Sequence, residues 1–282
     1  MRRLLGLVLV MLVVFAAGVG CKSKVELDKA AVRALVEKDS THFRGSTAGD
    51  SSENVFGLDD TTEGLWWRGP QSHDPSPVIE VGVSGDSAWV GWHQHNYGEL
   101  IHWVKTSDTT AVRWVKNLQE KVQINAIFMR DGKVSDTDRG WKLKKITLVE
   151  GTSETTNTVR IDSVHIHTSL QDVTIVDPLA HYFRLDSLVS FTPGEQVTIT
   201  MYTNVEDGFA NLHAFWLIFF IRLPFQNMGN GVYSGTWNAE LVPGFRFAIF
   251  ELLSRGTLLK PPETGPYDYK GWLFPYMIKT AD

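Results

Sequence analysis

Three hydropathy patterns follow one another along the 282 residues. An uncharged run from Leu4 to Gly20 stands behind Arg2-Arg3 and stops at Cys21. Apolar residues then recur at helical spacing at Val32, Leu35, Val36 and Phe43, and Ser23-Lys-Val-Glu26 has the form of a capping box. One amphipathic helix over about 24–44 is predicted. Residues 45–77 are rich in Gly, Ser, Asp and Pro, interrupted by Leu65-Trp66-Trp67, and show no period. From residue 78 an alternating pattern takes over, predicting strands at 78–83, 88–97, 100–105, 122–130 and 141–149. After a polar run from Glu150 to Thr158, further strands are predicted at 159–167, 181–191, 196–204, 211–223, 232–241, 245–253 and 269–278. Turn-forming pairs fall between them at Pro193-Gly194, Asp207-Gly208, Asn230-Gly231 and Pro243-Gly244. The nine residues FWLIFFIRL, Phe215 to Leu223, are too few to cross a bilayer as a helix and are predicted as one core strand.

The polar run is the best place for a domain boundary. It divides the chain into a leader at 1–20, a first domain at 21–150, a linker at 151–158 and a second domain at 159–282. A helix followed by a meander, with Ser87-Ala-Trp-Val-Gly-Trp92 after a turn and Gly140-Trp-Lys-Leu-Lys-Lys-Ile-Thr147 closing it, resembles the nuclear-transport-factor-like or SnoaL-like cone. Phe191-Thr-Pro-Gly-Glu-Gln-Val-Thr-Ile-Thr200 and Gly231-Val-Tyr-Ser-Gly-Thr-Trp237 resemble bacterial immunoglobulin-like modules of envelope proteins. These resemblances imply an α+β cone-like domain, an amino-terminal helix on a curved antiparallel sheet, followed by an all-β immunoglobulin-like sandwich.

Two arginines, an apolar stretch and small residues ahead of a cysteine have the order of a secretion signal. At about 1.5 Å per residue the run from Leu4 to Gly20 reaches roughly 25 Å, short of a hydrocarbon core of about 30 Å. Gly18, Gly20 and Cys21 resemble the lipobox of bacterial lipoproteins, which implies cleavage before Cys21 and its acylation by chains such as palmitate. Cys21 is also the only cysteine, so a disulfide framework and cysteine-ligated metals are excluded. Without residues 1–20 the body carries 25 basic against 32 acidic residues, a net charge of −7. A negative body without a basic stripe argues against nucleic acid as a partner and leaves the acyl group as the membrane attachment. The expected location is the bacterial cell envelope, body outside the cytoplasm.

No GxSxG, P-loop, HExxH or CxxC motif occurs, and no cofactor or metal is expected. Asp59, Asp60 and Glu63 lack the ligand spacing of a calcium loop. His93 and His95, two apart on a predicted strand, share a face with Trp89 and Tyr97, and His102 follows nearby. Trp89, His93, His95, Tyr97 and His102 are therefore the candidate ligand-binding residues. His165 and His167 alternate with Val164 and Ile166 and face solvent if those two fill the core. The expected function is a lipid-anchored binding or interaction module, its partner an envelope protein, a small ligand or a glycan. Two alternatives stay open: an isomerase-, dehydratase- or hydrolase-type enzyme using His93 and His95, and a carbohydrate-binding lipoprotein using Trp66, Trp67 or Trp103.

Overall fold

A computed structural model describes residues 23–46, 64–107, 109–216 and 219–280. Cys21, the leader 1–20 and the acidic residues Asp59, Asp60 and Glu63 lie outside the described residues. The chain forms helix α1 (Lys24–Lys38) and strands β1 (Gly64–Arg68), β2 (Ser72–His73), β3 (Val78–Ser84), β4 (Ser87–Ser107), β5 (Thr110–Arg130), β6 (Trp141–Ile146) and β7 (Val149–Ser153). It continues through β8 (Ile161–His167), β9 (Asp172–Ile175), β10 (Phe183–Arg184), β11 (Ser190–Phe191), β12 (Gln196–Thr203), β13 (Phe209–Trp216) and β14 (Phe219–Pro224). The remainder is β15 (Gln226–Gly229), β16 (Val232–Asn238), β17 (Gly244–Leu253), α2 (Arg255–Leu259) and β18 (Tyr269–Ile278). The architecture is mostly antiparallel β with an amino-terminal helix, one curled sheet and a second sheet.

The curled sheet has the order β1-β4-β5-β7-β18-β17-β13-β14, and the smaller one runs β15-β16-β12-β8-β9. Period-2 alternation decides which face of each strand is wet. Along β4 the even positions Ala88, Val90 and Trp92 are buried, as are their partners Phe128, Ala126 and Ile124 on β5. Val32 and Val36 of α1 pack on this inner face, together with Phe247, Ile249 and Leu273 from β17 and β18. The opposite faces of β17 and β18 carry Ala248, Phe250, Leu252, Trp272, Phe274 and Tyr276, and pack against the second sheet.

The structure departs from the predicted elements at several places. The helix begins where predicted, with the Ser23 side chain accepting from the Glu26 amide at 3.2 Å. It ends at Lys38 because the Asp39 carboxylate takes the amides of Thr41 and His42 at 3.1 and 3.0 Å, an Asx turn that competes with helical bonds. Segments 88–97 and 100–105 are one strand, β4, passing through Gly98. The apolar run Phe215 to Leu223 is divided between β13 and β14, which form a hairpin. Residues 149–153, which include the start of the expected linker, are strand β7, hydrogen-bonded on one side to β5 and on the other to β18. Val149, Gly151 and Ser153 are buried there. The backbone thus continues as one sheet through the expected boundary.

Two expectations follow. Residues 22–150 end inside β7 and lack β18, while residues 155–282 leave β18 without its β7 ladder. Neither fragment alone should give a cooperative thermal transition, although the full chain should; a cooperative transition in either refutes the shared-sheet account. The second concerns α1. Its buried Asp28 meets Arg130 at 2.9 Å, Arg139 at 2.8 Å and the Trp141 indole at 3.3 Å. Burial pushes its carboxyl up, but these partners outweigh burial and hold it at about 2, below its ordinary 3.8. A depressed carboxylate stabilises the fold above its unfolded value and loses that contribution as pH falls through the folded one. Asp28→Asn should cost about 2 kcal/mol at pH 6 and flatten the stability curve between pH 4 and 2, measured by urea unfolding across pH.

Candidate functional site

Each half of the curled sheet is covered on a different face. Helix α1 lies on the inner side of β3, β4 and β5, and the second sheet lies on the outer side of β17 and β18. Neither layer covers the outer face of β1, β4 and β5, where the Leu179 carbonyl accepts from Asn125 of β5 at 2.9 Å. Trp89, His93, His95 and Tyr97 all lie on this face, at odd positions of β4. The structure brings these four onto one strip as the spacing predicted.

Trp89 is 52% exposed and lies across Gly82, its cross-strand partner, where a Cβ would collide with the indole nitrogen. The His93 and His95 rings meet edge to face with centroids 6.1 Å apart. His95 Nδ1 lies 2.8 Å from Glu154, just beyond β7, and both side chains are about a third exposed. Burial, then Lys121 and the neighbouring His95, push the His93 imidazole below its ordinary value. Tyr97 is 37% exposed and donates to Asp74 at 3.3 Å. These imidazoles stand on an open strip, with a carboxylate beside one of them.

His102 does not join the strip. It has the opposite parity on β4, faces inward, and is 1% exposed beside Trp114 and diagonal to Lys116. Neither ring nitrogen has a hydrogen-bond partner, the Leu258 main chain lying beside the ring but outside bonding geometry. Burial, then Lys116, push this imidazole down. Lys116 itself is buried, donates to the carbonyls of Gly256 at 2.8 Å and of Gly265, and is pushed down to about 8 by burial.

The three tryptophans near the turn that joins β4 to β5 divide by the same rule. Trp66 is 5% exposed on the inner side, where the Arg222 guanidinium stands 3.5 Å from its ring centroid and reaches its carbonyl at 3.4 Å. Trp67 is half-buried and Trp103 is 40% exposed, both on the outer face. Leu65 pairs with Trp103, and Trp67 pairs with Ile101.

Inside the curl lies a charged network that no motif in the sequence announces. Arg68 of β1 reaches Glu251 of β17 at 2.6 Å and Glu120 of β5 at 3.8 Å, and donates to the Tyr267 hydroxyl at 2.8 Å. Tyr267 in turn donates to Glu120. Glu251 also accepts from Asn211 and pairs with His213, each at 2.9 Å, and all these groups are buried. Burial opposes the charge on Glu251, but Arg68 and then His213 overcome it and hold the carboxyl well below the usual range. On Glu120 burial wins and pushes the carboxyl up, only partly offset by Arg68. A signal existed: Glu120 occupies the same strand phase as Leu118, Val122 and Ile124, and Glu251 the phase of Ile249 and Leu253.

His165 and His167 both turn to Asp172, the former in a hydrogen bond and the latter at 3.5 Å. Among the described residues no group of His, Cys, Asp and Glu is arranged to hold a metal ion. Comparison with protein-family models, curated proteins and solved structures finds no match to this chain.

The network is the more demanding part of this architecture, because a buried charge that loses its partner keeps its desolvation cost. Glu251→Leu should therefore lower stability by about 3–5 kcal/mol in urea unfolding, and adding Arg68→Met should recover most of that loss. Additive losses in the double variant would show that the pair is not coupled.

Proposed function

We propose that this protein is a lipid-anchored binding module of the bacterial cell envelope, tethered through an acylated Cys21, whose contact surface is the open outer face of β1, β4 and β5. The observation that carries this reading is the strip itself: Trp89, His93, His95, Tyr97 and Trp103 in a line along β4, on a sheet face that neither α1 nor the second sheet covers. Exposed apolar surface rimmed by polar groups marks a place of contact. The order of Arg2-Arg3, the run from Leu4 to Gly20 and Cys21 supports the tether. From Cys21 to the start of α1 at Lys24 an extended chain reaches roughly 10 Å, so the body stands next to the surface that anchors it. Among the described residues no helix is long and apolar enough to cross a membrane.

In this reading α1 with β3–β6 makes the cone-like part, and the second sheet over β17 and β18 makes the immunoglobulin-like layer. The enzymatic alternative draws on the His95 and Glu154 pair, a base with an orienting acid. It weighs less, because both imidazoles lie on the open face, where water is not kept from a reacting group.

Cys21→Ser tests the tether. The wild-type protein should sediment with washed membranes and the variant should move to the soluble fraction; a variant that stays on the membrane overturns the acyl anchor.

A further inference from the structure

We propose that the distal part of the open face is a carbohydrate-binding platform, with Trp67, Tyr97 and Trp103 stacking on pyranose rings of a glycan strand and Asn117 and Gln119 bonding its hydroxyls. The proposal rests on the binding-module reading above and names the class of ligand.

Register places the residues. Leu65, Trp103 and Arg113 form one cross-strand row, Trp67, Ile101 and Val115 the next, Glu99 and Asn117 the third, and Tyr97 and Gln119 the fourth. Trp67 and Trp103 are diagonal neighbours, a relation that sets Cα atoms about 7–8 Å apart across a sheet. Tyr97 stands six residues from Trp103 along β4, roughly 20 Å at about 3.4 Å per residue. The rings therefore form a line along the strand, with Asn117, Gln119 and Glu99 between and beside them. Trp103 and Tyr97 keep more than a third of their surface in water.

The chemistry of this surface selects among partners. A protein contact core is a continuous apolar patch from which charge is depleted. Here Ile101 is buried and Trp67 half-buried, so the water-facing apolar surface is confined to Leu65, Trp103 and Tyr97, with Glu99, Asn117 and Arg113 among them, and a protein partner fits poorly. A nucleic acid needs a run of cations, whereas this strip carries both signs, Arg113 against Glu99, on a chain of net charge −5. A pyranose chain has what the strip lacks: flat C–H faces for the indoles, and hydroxyls that donate and accept as the Asn and Gln amides do. The inward parity of Trp66 fits as well, since the Leu65-Trp66-Trp67 run then offers one indole to the core and one to the platform.

The test uses the full-length protein in a non-ionic polyoxyethylene detergent, whose headgroup has no sugar to compete. It is mixed with insoluble cellulose, chitin and purified peptidoglycan sacculi and sedimented. The protein should pellet with at least one of the three. Trp103→Ala should weaken that retention by about tenfold and Tyr97→Ala by about threefold, as expected for the loss of one stacked ring. Trp103→Phe should restore part of it. Leu170→Ala, 75% exposed in the turn between β8 and β9 and outside the strip, should stay within about twofold of wild type. All variants must keep the wild-type thermal transition, which these exposed positions should not disturb. No pelleting with any of the three polymers, or retention indifferent to Trp103→Ala and Tyr97→Ala, overturns the platform. A protein crosslinked at Gln119 in place of any glycan overturns it too. If Cys21→Ser leaves the membrane but no polymer retains the protein, the platform fails and the envelope reading stands. If glycans retain the protein but the wild type is never found on membranes, the envelope reading fails and the platform stands.

Discussion

Arg68 sits inside the curl of the sheet, almost wholly removed from water, with its guanidinium shared among Glu251, Glu120 and the Tyr267 hydroxyl. These partners come from β17, β5 and the segment before β18, so one side chain near the amino-terminal edge of the sheet is satisfied only when strands far apart in sequence have assembled around it. A desolvated guanidinium tolerates no substitute for this arrangement, since leaving it unpaired costs several kcal/mol. Glu251 passes the constraint on through Asn211 and His213 to β13. From there β14 brings Arg222 back over the Trp66 ring of β1, where the sheet began. The two ends of the strand order thus meet through side chains, a cation over an indole and a guanidinium on a carbonyl, with no backbone ladder between β1 and β14 among the described residues.

Around that centre the apolar cores are laid out on opposite faces of one sheet. The inner face under α1 holds Val90, Trp92, Ile124 and Phe128, and the outer face under the second sheet holds Phe250, Trp272, Phe274 and Tyr276. Strands β17 and β18 are buried on both sides, which is why FRFAIFELL and YKGWLFPYMI read as nearly continuous apolar runs. β4 and β5 are buried on one side only over most of their length, and accordingly alternate. The open face belongs to the alternating strands because the second half of the chain has already spent its own covering layer on β17 and β18.

How much of this was legible in the sequence depends on how local each cause is. The capping box fixed the start of α1, because Ser23 and Glu26 are three residues apart and need nothing else. Its end was missed because Asp39 competes through its own side chain, which periodicity does not register. Gly98 reads as a strand break, yet β4 runs through it: Pro70 and Gln71 pack against that spot and leave little room for a Cβ. The β7 and β18 pairing joins residues more than a hundred positions apart, and the polar composition of 150–158 suggests a connector where the fold places a buried strand. For the candidate site, period 2 correctly grouped Trp89, His93, His95 and Tyr97, and the same period excludes His102, which was grouped by nearness along the chain instead of by parity. Trp66 and Trp67 could not be told apart without knowing which neighbour of β4 they would join.

The buried network and the open face are two consequences of one choice of register. A strand shifted by one residue exchanges all its inward and outward side chains. If β1 slipped by one against β4, Arg68 would leave Glu251 and point to water while Trp67 turned into the core. The ion pair forbids this, because Glu251 would be left charged and buried. Holding Arg68 inside therefore holds Trp67 and Leu65 outside, level with Ile101 and Trp103. A flat apolar strip on an exposed sheet face is otherwise free to slide or to pair with another edge. Here its geometry is fixed from beneath, by side chains a ligand on that face never touches.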